Sequence, residues 1–355
     1  MLDSLIAIKK IDTENMLGSL QMLHKQVDEI ALIAEDLMIP SAYKKFDRIV
    51  VFGMGGSALG SQVIQSVYRK ELKYPLEIIN GYEMPGYVNS KTLVILSSYS
   101  GTTEEVLFVA ELARVRKAKI AVISAGGELA QFAKKNKYPA LIFSTENNPC
   151  GSPRMGLGYS IIGQLILFSK LGVLKISKKQ IQEVVKTIAV YDTSYGVLTP
   201  EKENPAKQLA RKTIDRSVWF VGSEHLLGSA HIAANQMNEN AKRMSGYFSV
   251  PELNHHLMEG MMYPKGNKSS LLFVLLESSL YFERVQKRYS VTKKVLEKNG
   301  IVHASYVSKE SDSLLQMCEC LVFFSYVSYY SGLLKKIDPT AIPFVDYFKK
   351  EMGKS

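Results

Sequence analysis

The chain has 355 residues, of which 46% are hydrophobic and 22% charged, and it contains only three cysteines. This length predicts two domains that each bury their own core, and the hydrophobic fraction excludes a disordered chain. Three cysteines exclude a disulfide framework and favour a reducing compartment. The net charge of +10 suits an anionic partner. Because the basic residues are spread along the chain, we expect no nucleic-acid partner.

The first residues do not predict a signal peptide, because Asp3 comes early and no uninterrupted apolar run follows it. The longest apolar stretches, 271–276 and 320–334, are either too short for a membrane span or broken by Ser, Tyr and Gly. We therefore expect a cytoplasmic protein without a membrane partner.

The predicted elements begin with a helix. Apolar residues recur at three- and four-residue steps over residues 12–38, which predicts one amphipathic helix that Pro40 ends. The first half then contains predicted strands at 48–52, 76–79, 92–97, 119–124 and 140–143, with helices between them and a closing helix at 154–171. Residues 176–204 are expected to form a polar, lysine-rich connector.

The alternation of strands and helices then restarts. The second half has predicted strands at 217–221, 271–276 and 301–307, predicted helices near 228–242, 277–298 and 313–334, and a tail that ends around 344–352. Strands without polar alternation, interleaved with helices, indicate parallel sheets covered on both faces. The predicted fold is α/β, with two doubly wound parallel sheets flanked by helices. The expected domains are an N-terminal helical segment at 1–44 and α/β domains at 45–175 and 205–355.

A glycine-rich loop, Gly53-Met54-Gly55-Gly56-Ser57, follows the first predicted strand and begins a helix. It is not a dinucleotide site, because the second strand ends without an acidic residue for the ribose, and it lacks the Gly-Lys pair of a P-loop. The glycines nevertheless let backbone amides approach an anion at a helix N-terminus, and Ser57 adds a hydroxyl donor. The alternative is a tight turn that only packs the helix on the strand.

A second loop, Ser97-Ser98-Tyr99-Ser100-Gly101-Thr102-Thr103, also joins a strand to a helix. The alternative role for its hydroxyls is helix capping by Thr102 or Thr103 together with Glu105, but one hydroxyl suffices for a cap. Ligands bind at the carboxyl ends of parallel strands, where both loops lie. Together they predict a phosphate-monoester site formed by Gly55, Gly56, Ser57, Ser98, Ser100 and Thr103.

The ordered set of motifs resembles a known family. The segments GMGGSALG, SSYSGTTEE and SPRMGLG, which begin at residues 53, 97 and 152, resemble the sugar isomerase (SIS) domain. With NENAK at 238–242, PELNH at 251–255, DPT at 338–340 and Lys349, the chain is similar more narrowly to the bifunctional phosphoglucose/phosphomannose isomerases. The resemblance runs from about residue 45 to the C-terminus. It implies two SIS-type sheets, and a homodimer in which a histidine is supplied across the interface.

The resemblance also implies an activity, the interconversion of glucose 6-phosphate and mannose 6-phosphate with fructose 6-phosphate through an enediol(ate). This chemistry needs a base for proton transfer between C1 and C2, a cation beside the enediolate, and an acid/base for ring opening. The matching positions imply Glu239 as the base, Arg154 as the cation, and His255 with Lys349 as the ring-opening pair. No cofactor is implied, and no histidine cluster predicts a metal site.

Two positions depart from the family pattern. His255 is followed by a second histidine where relatives have Asn-Glu, so His256 remains an alternative for the active ring. Ser325 stands where relatives tend to carry an aspartate.

Other interpretations also remain open. Glu239 is alternatively a surface glutamate paired with Lys242 or Arg243. The alternative function is a non-catalytic phosphosugar sensor, which needs the hydroxyl-rich loops but neither Glu239 nor Arg154.

Overall fold

The computed structural model describes residues 1–353, which contain two parallel β-sheets. The strands of the first sheet are β1 (Arg48–Phe52), β2 (Leu76–Ile79), β3 (Thr92–Ser98), β4 (Lys119–Ser124) and β5 (Ala140–Ile142), in the order β2-β1-β3-β4-β5. Those of the second are β6 (Ser217–Gly222), β7 (Ser245–Ser249), β8 (Leu271–Glu277) and β9 (Val302–Val307), in the order β7-β6-β8-β9. Neighbouring strands are parallel in both sheets, which confirms the predicted fold class.

Helices surround both sheets. In chain order they are α1 (Leu5–Lys9), α2 (Met16–Gln21), α3 (Leu23–Ile33), α4 (Gly56–Val67), α5 (Glu104–Val115), α6 (Gly127–Asn136), α7 (Gly163–Lys170), α8 (Lys178–Tyr195), α9 (Pro205–Lys212), α10 (Leu227–Ala241), α11 (Leu253–His256), α12 (Asn267–Ser270), α13 (Glu283–Lys298), α14 (Ser313–Leu334) and α15 (Pro343–Met352). Pro153–Met155 forms a 3₁₀ turn, and Gly158–Ile162 forms a π-helical turn that leads into α7.

The order of the strands brings two of the predicted loops together. β1 and β3 are neighbours, with Phe52 beside Leu96 near their carboxyl ends. Because the strands are parallel, the loops that follow β1, β3 and β5 leave the sheet at one edge. The first sheet lies within residues 45–175 and the second within 205–355, and the exact domain boundaries stay a prediction.

Helix α14 forms the centre of the molecule. It is long and apolar enough to cross a membrane, but 94% of its apolar window is buried inside the fold. It packs against α8, α9 and α10, so its all-round hydrophobicity is that of a core helix.

The structure corrects the prediction of one helix over 12–38. The first helix of this range, α2, begins only at Met16, where Asn15 has the left-handed conformation and caps it through Gly18 N. The break between α2 and α3 lies at Met22, whose φ and ψ of −91° and 4° are not helical. The predicted connector at 176–204 is also wrong, since most of it is α8. That helix begins with a capping box between Ser177 and Gln180 and buries an apolar stripe that includes Val184 and Ile188. Its lysines occupy the other face, which made the segment look like a linker.

Two further boundaries differ from the prediction. The predicted helix 154–171 is divided into the 3₁₀ turn, the π-helical turn and α7. The predicted helix 277–298 begins only at Glu283, because β8 extends to Glu277. Strand β7 was not predicted, because its sequence Ser-Gly-Tyr-Phe-Ser lacks an apolar run and it is an edge strand that no second neighbour covers.

Candidate active site

The first two predicted loops form one hydrogen-bonded unit. Ser57 Oγ accepts a hydrogen bond from Tyr99 N at 2.8 Å, and Ser97 Oγ donates to Ser57 O at 2.9 Å. Gln164, which is fully buried on α7, donates through Nε2 to Ser57 O at 2.7 Å and to Ser97 Oγ at 3.0 Å. The loops after β1 and β3 are therefore held in one arrangement at the carboxyl edge of the first sheet.

The hydroxyls of the second loop do not cap the helix that follows. Thr103 occupies the N-cap position of α5, but its side chain makes no capping hydrogen bond, and no capping box with Glu105 forms. Instead Thr103 Oγ1 lies 2.7 Å from Ser98 Oγ, and Ser100 Oγ accepts from Thr102 Oγ1 at 3.0 Å. The first-turn amides of α5 are thus without a side-chain acceptor, which leaves a helix N-terminus beside clustered hydroxyls. This arrangement favours an anion.

The third motif joins the same edge. Asn148 Nδ2 donates to Tyr99 OH at 2.8 Å and to Ser152 O at 2.9 Å, which ties the segment after β5 to the second loop. The backbone of Arg154 lies against Gly56, where a Cβ atom would come within 3.5 Å of its Cα. All three N-terminal motifs therefore converge.

Arg154 is buried and held in one position. It is 3% exposed, its Nε donates to Asn240 Oδ1 at 2.6 Å, and its Nη2 donates to Pro339 O at 2.9 Å and Thr340 O at 2.8 Å. Its Nη1 lies 3.5 Å from Glu239 Oε1. Three hydrogen bonds to α10 and the 338–340 loop thus fix the guanidinium. Its Nη1 atom lies beside the carboxylate of Glu239.

Glu239 lies near the end of α10, with 36% of its side chain exposed. Burial raises the pKa of this carboxyl, and the positive charges of Arg154, Lys242 and Lys349 partly oppose the rise. A carboxylate with a raised pKa that solvent still reaches is suited to accept a proton. Of the predicted catalytic residues, Arg154 thus lies beside Glu239, and the positive charge of Lys349 lowers the pKa of Glu239.

The alternative pairing of Glu239 with Lys242 or Arg243 is not formed. Lys242 Nζ donates to Asp338 O at 2.6 Å and to Pro339 O at 3.0 Å, so it stabilises the loop that also holds Arg154. Arg243 donates instead to the carbonyl of Arg216 at 3.1 Å. Burial and the charge of Arg154 lower the pKa of Lys242 to about 8.

His255 is not brought to this group within one chain. It lies on α11, after β7, whereas Asn238 beside Glu239 bonds to Ser245, the first residue of β7. β7 has five residues at about 3.3 Å each, so roughly 16 Å of strand separates the two positions. Among residues 1–353, no hydrogen bond or ion pair joins His255 to Glu239 or Arg154.

The two adjacent histidines differ in their contacts. His256 Nε2 lies 2.8 Å from Glu252 Oε2 on the same turn. The ring of His255 is exposed and makes no such contact in the described part of the chain. His255 as the active ring stays a prediction, which its lack of an intrachain partner supports.

Sequence reasoning missed several residues that complete the site. Asn240 holds Arg154 Nε and lies inside the NENAK motif, so its position was visible although its role was not. Gln236 donates to Arg154 O at 3.1 Å, and Ser325 donates to Gln236 Oε1 at 2.9 Å. Thr340 Oγ1 is buried without a partner beside the guanidinium loop. Over residues 1–353, no three His, Cys, Asp or Glu side chains are grouped as metal ligands.

Comparisons with known proteins show the family of the chain. A family model of the bacterial phospho-glucose isomerase C-terminal SIS domain matches residues 202–352, and the SIS domain model matches residues 43–147. The chain is 32% identical over 346 residues to a bifunctional phosphoglucose/phosphomannose isomerase of Caldicellulosiruptor bescii, which covers 95% of this chain and 99% of that protein. It is 27% identical to a protein of the same name from Thermoplasma volcanium, over 92% of this chain and 99% of that one.

A solved structure supports the fold independently. The crystal structure of a hypothetical protein from Thermus thermophilus superposes with a TM-score of 0.73 at 16% sequence identity, over 98% of this chain and 93% of that chain. At this identity the likeness concerns the fold alone. The 32% identity over nearly the whole length of both proteins carries the assignment. The chain belongs to the family of bifunctional phosphoglucose/phosphomannose isomerases.

Proposed function

We propose that this protein is an aldose–ketose isomerase that interconverts glucose 6-phosphate and mannose 6-phosphate with fructose 6-phosphate through a cis-enediol(ate). The observation that carries the proposal is the pair formed by the buried guanidinium of Arg154 and the part-exposed carboxylate of Glu239, 3.5 Å apart. A base and a fixed cation at this distance can act on adjacent carbon and oxygen atoms of one sugar.

The phosphate of the substrate binds the hydroxyl-rich loops. Ser57 Oγ accepts from Tyr99 N, so its own proton is free to be donated to a phosphate oxygen. Ser98, Ser100 and Thr103 add neutral donors at the N-terminus of α5, where the helix dipole favours negative charge. Nothing lies within 4 Å of a Cβ atom at Gly55, so the first loop is open to a ligand there, whereas Gly56 lets the loop pack against the backbone of Pro153 and Arg154.

Glu239 removes the proton from C2 of the aldose and returns it at C1. The negative charge that develops on the enediolate oxygen is stabilised by Arg154, whose hydrogen bonds hold it in place before the reaction begins. Glucose and mannose 6-phosphates differ only at C2 and give the same enediol, so one base serves both. The hydrogen moves within the substrate, so the reaction needs no redox cofactor, and Arg154 supplies the positive charge without a metal ion.

Ring opening requires a further acid and base, for which we propose His255 and Lys349. Lys349 lies on α15 and its charge reaches Glu239. His255 lies beyond β7, so it acts in the site of a second copy, and the protein is proposed to be a homodimer. A cytoplasmic location remains a prediction.

The alternative is a sensor that binds phosphosugars without converting them. Such a protein needs the hydroxyl-rich loops only. Here a buried arginine is held by three hydrogen bonds beside a carboxylate whose pKa is raised by burial, although burying charged groups is unfavourable. Binding alone gives no reason for this arrangement, whereas proton transfer does.

Glu239→Gln tests the proposal, because the amide keeps the shape of the side chain but cannot accept the proton. In a coupled assay with glucose 6-phosphate and mannose 6-phosphate, kcat is expected to fall by about 10²-fold or more, the scale of general base catalysis. Binding of fructose 6-phosphate, measured by calorimetry, should persist. Glu71→Gln, the same change at an exposed glutamate beyond the end of α4, is the control. Turnover by Glu239→Gln within a few-fold of wild type would favour the sensor.

A further inference from the structure

The N-terminal segment holds the loop that carries Arg154. This segment precedes residue 43, where the SIS domain match begins, and its helix α3 packs against the π-helical turn Gly158–Ile162. Gln26 on α3 is fully buried. Its Nε2 donates to Asn147 O and Met155 O, both at 3.0 Å, and its Oε1 accepts from Gly158 N at 3.1 Å.

Both the amide nitrogen and the amide oxygen of Gln26 are therefore hydrogen-bonded to backbone atoms of one loop. The three partners lie before and after Arg154 along the chain, and the carbonyl of Met155 belongs to the next residue. The carbonyl of Arg154 itself accepts from Gln236 of α10. The backbone at Arg154 is thus fixed from two sides, by α3 and by the helix that carries Glu239.

The close contact between α3 and this loop also explains why residue 158, in the motif SPRMGLG, is a glycine. A Cβ atom at Gly158 would lie 2.7 Å from Gln26 Cβ and 3.0 Å from Leu23 O. Any side chain there would push the loop away from α3 and break the bond from Gly158 N to Gln26. The glycine therefore serves the contact with the N-terminal segment.

A second residue of α3 extends the contact. Glu29, one helical turn after Gln26, accepts hydrogen bonds from Asn147 Nδ2 at 2.7 Å and from the hydroxyls of Ser144 and Tyr159. These hydrogen bonds lower the pKa of Glu29 against the opposing effect of burial. The segment between β5 and the 3₁₀ turn has no regular structure of its own, so its conformation depends on such contacts.

We propose that Gln26 is a positioning residue for Arg154. Gln26 acts by holding the loop before and after residue 154 through three hydrogen bonds to its backbone. A purely packing role does not need an amide, because a leucine fills the same space. A leucine would, however, leave Asn147 O, Met155 O and Gly158 N without this partner. The inference rests on the proposed isomerase function, since its effect on turnover passes through Arg154. Gln26 does not contact the hydroxyl-rich loops, so it affects the chemical step rather than phosphate binding.

Gln26→Leu is compared with Val27→Ala, a change in an equally buried neighbour on the same helix that leaves the loop contacts intact. For Gln26→Leu we expect kcat to fall roughly ten- to hundredfold, the scale of a misplaced catalytic group, with KM within about twofold of wild type. Val27→Ala should lower the melting temperature but keep kcat within about twofold. A folded Gln26→Leu variant with wild-type kcat overturns the proposal.

A double-mutant cycle separates positioning from general stability. When Arg154→Gln has already removed the guanidinium, adding Gln26→Leu should lower kcat by no more than about twofold, because the residue that it positions is gone. A full additional loss in that background means that Gln26 acts elsewhere, and overturns the proposal.

Gln26→Glu keeps the measurement possible if Gln26→Leu does not fold. A carboxylate still accepts from Gly158 N but repels the two carbonyls, whereas its protonated form donates to one of them. The kcat of Gln26→Glu relative to wild type should therefore rise as the pH falls, and a flat ratio overturns the proposal.

Hydrogen exchange tests the same contact without relying on turnover. Amides of residues 144–158 should exchange faster in Gln26→Leu, or in Gln26→Glu at neutral pH, than in Val27→Ala. Equal protection in these variants overturns the proposal. If wild type itself does not isomerise sugar phosphates, the proposed function fails, while the exchange result still decides whether Gln26 holds the loop.

Discussion

The charges around Glu239 set the pH at which it can act as a base. Burial raises the pKa of Glu239, and Arg154, Lys242 and Lys349 each oppose the rise through their positive charge. Lys242 contributes this charge while its Nζ bonds to backbone carbonyls, so it does not form an ion pair that would neutralise the base. The acid limb of activity is therefore sensitive to substitutions that leave Glu239 in place.

Replacing Lys242 by Met removes one of the three positive charges. Because a positive neighbour favours the ionised carboxylate, its loss raises the pKa of Glu239 further, and Glu239 then becomes a base only at higher pH. We expect the acid limb of the kcat–pH profile to move to higher pH in Lys242→Met and to stay in place in Lys242→Arg, which keeps the charge. An unmoved limb in both variants would mean that another group titrates there.

At the scale of elements, the contact between α10 and α14 determines where Asn240 lies. Asn240 Nδ2 donates to Ser328 Oγ of α14 at 3.0 Å, while its Oδ1 accepts from Arg154 Nε. The helices approach closely at Gly332, where a Cβ atom would lie 2.7 Å from Asn240 O. Since that neighbour is backbone, the helices must separate to admit a methyl group.

Gly332→Ala is expected to lower the free energy of unfolding by roughly 1–3 kcal/mol, the usual cost of overpacking a core, and to lower kcat because Asn240 moves away from Arg154. Denaturant unfolding and steady-state kinetics measure the two effects. Gly86→Ala is the matched control, because nothing lies within 4 Å of a Cβ atom there and its φ is not positive. A Gly332→Ala variant as stable and as active as Gly86→Ala would show that α14 does not fix Asn240.

At the scale of the whole molecule, a single chain does not bring all residues of the proposed site together. Arg154 follows β5 of the first sheet and lies beside Glu239 of α10, whereas His255 lies on α11, beyond the end of β7. Helix α15 buries none of its residues, and the side chains of Phe344, Tyr347 and Phe348 are 87%, 65% and 62% exposed. An exposed aromatic stripe of this kind is typical of an interaction surface. Both observations favour a symmetric dimer.

A complementation experiment tests the shared site. In a heterodimer of Glu239→Gln with His255→Ala, one site carries both changes and the other carries neither, provided that each site takes its histidine from the partner. Random mixing of the two variants should then restore about one quarter of wild-type activity, because half of the dimers are mixed and each has one intact site. Mixtures no more active than the separate variants would place both residues in the same chain, or show that no dimer forms.

The sequence by itself determined the features that depend on neighbouring residues. A buried strand, a Gly- or hydroxyl-rich turn and a helix follow one another directly at 48–67 and 92–115, so local pattern was sufficient to predict both loops and the parallel sheets. Local pattern failed where amphipathic spacing was hidden among lysines, as in α8, and where an edge strand lacked an apolar run, as in β7.

Only the tertiary structure decided how the candidate site is assembled. Arg154 meets Asn240, 86 residues away, and Thr340, 186 residues away, and no local signal in the sequence reports such partners. The same holds for Gln26, whose contacts lie 121 to 132 residues further along the chain. The motifs predict Glu239 and His255 as members of one site, but β7 separates them, and no hydrogen bond or ion pair joins them within residues 1–353. The sequence motifs predict part of the candidate site, and the packing of the two sheets around α14 decides which residues meet there.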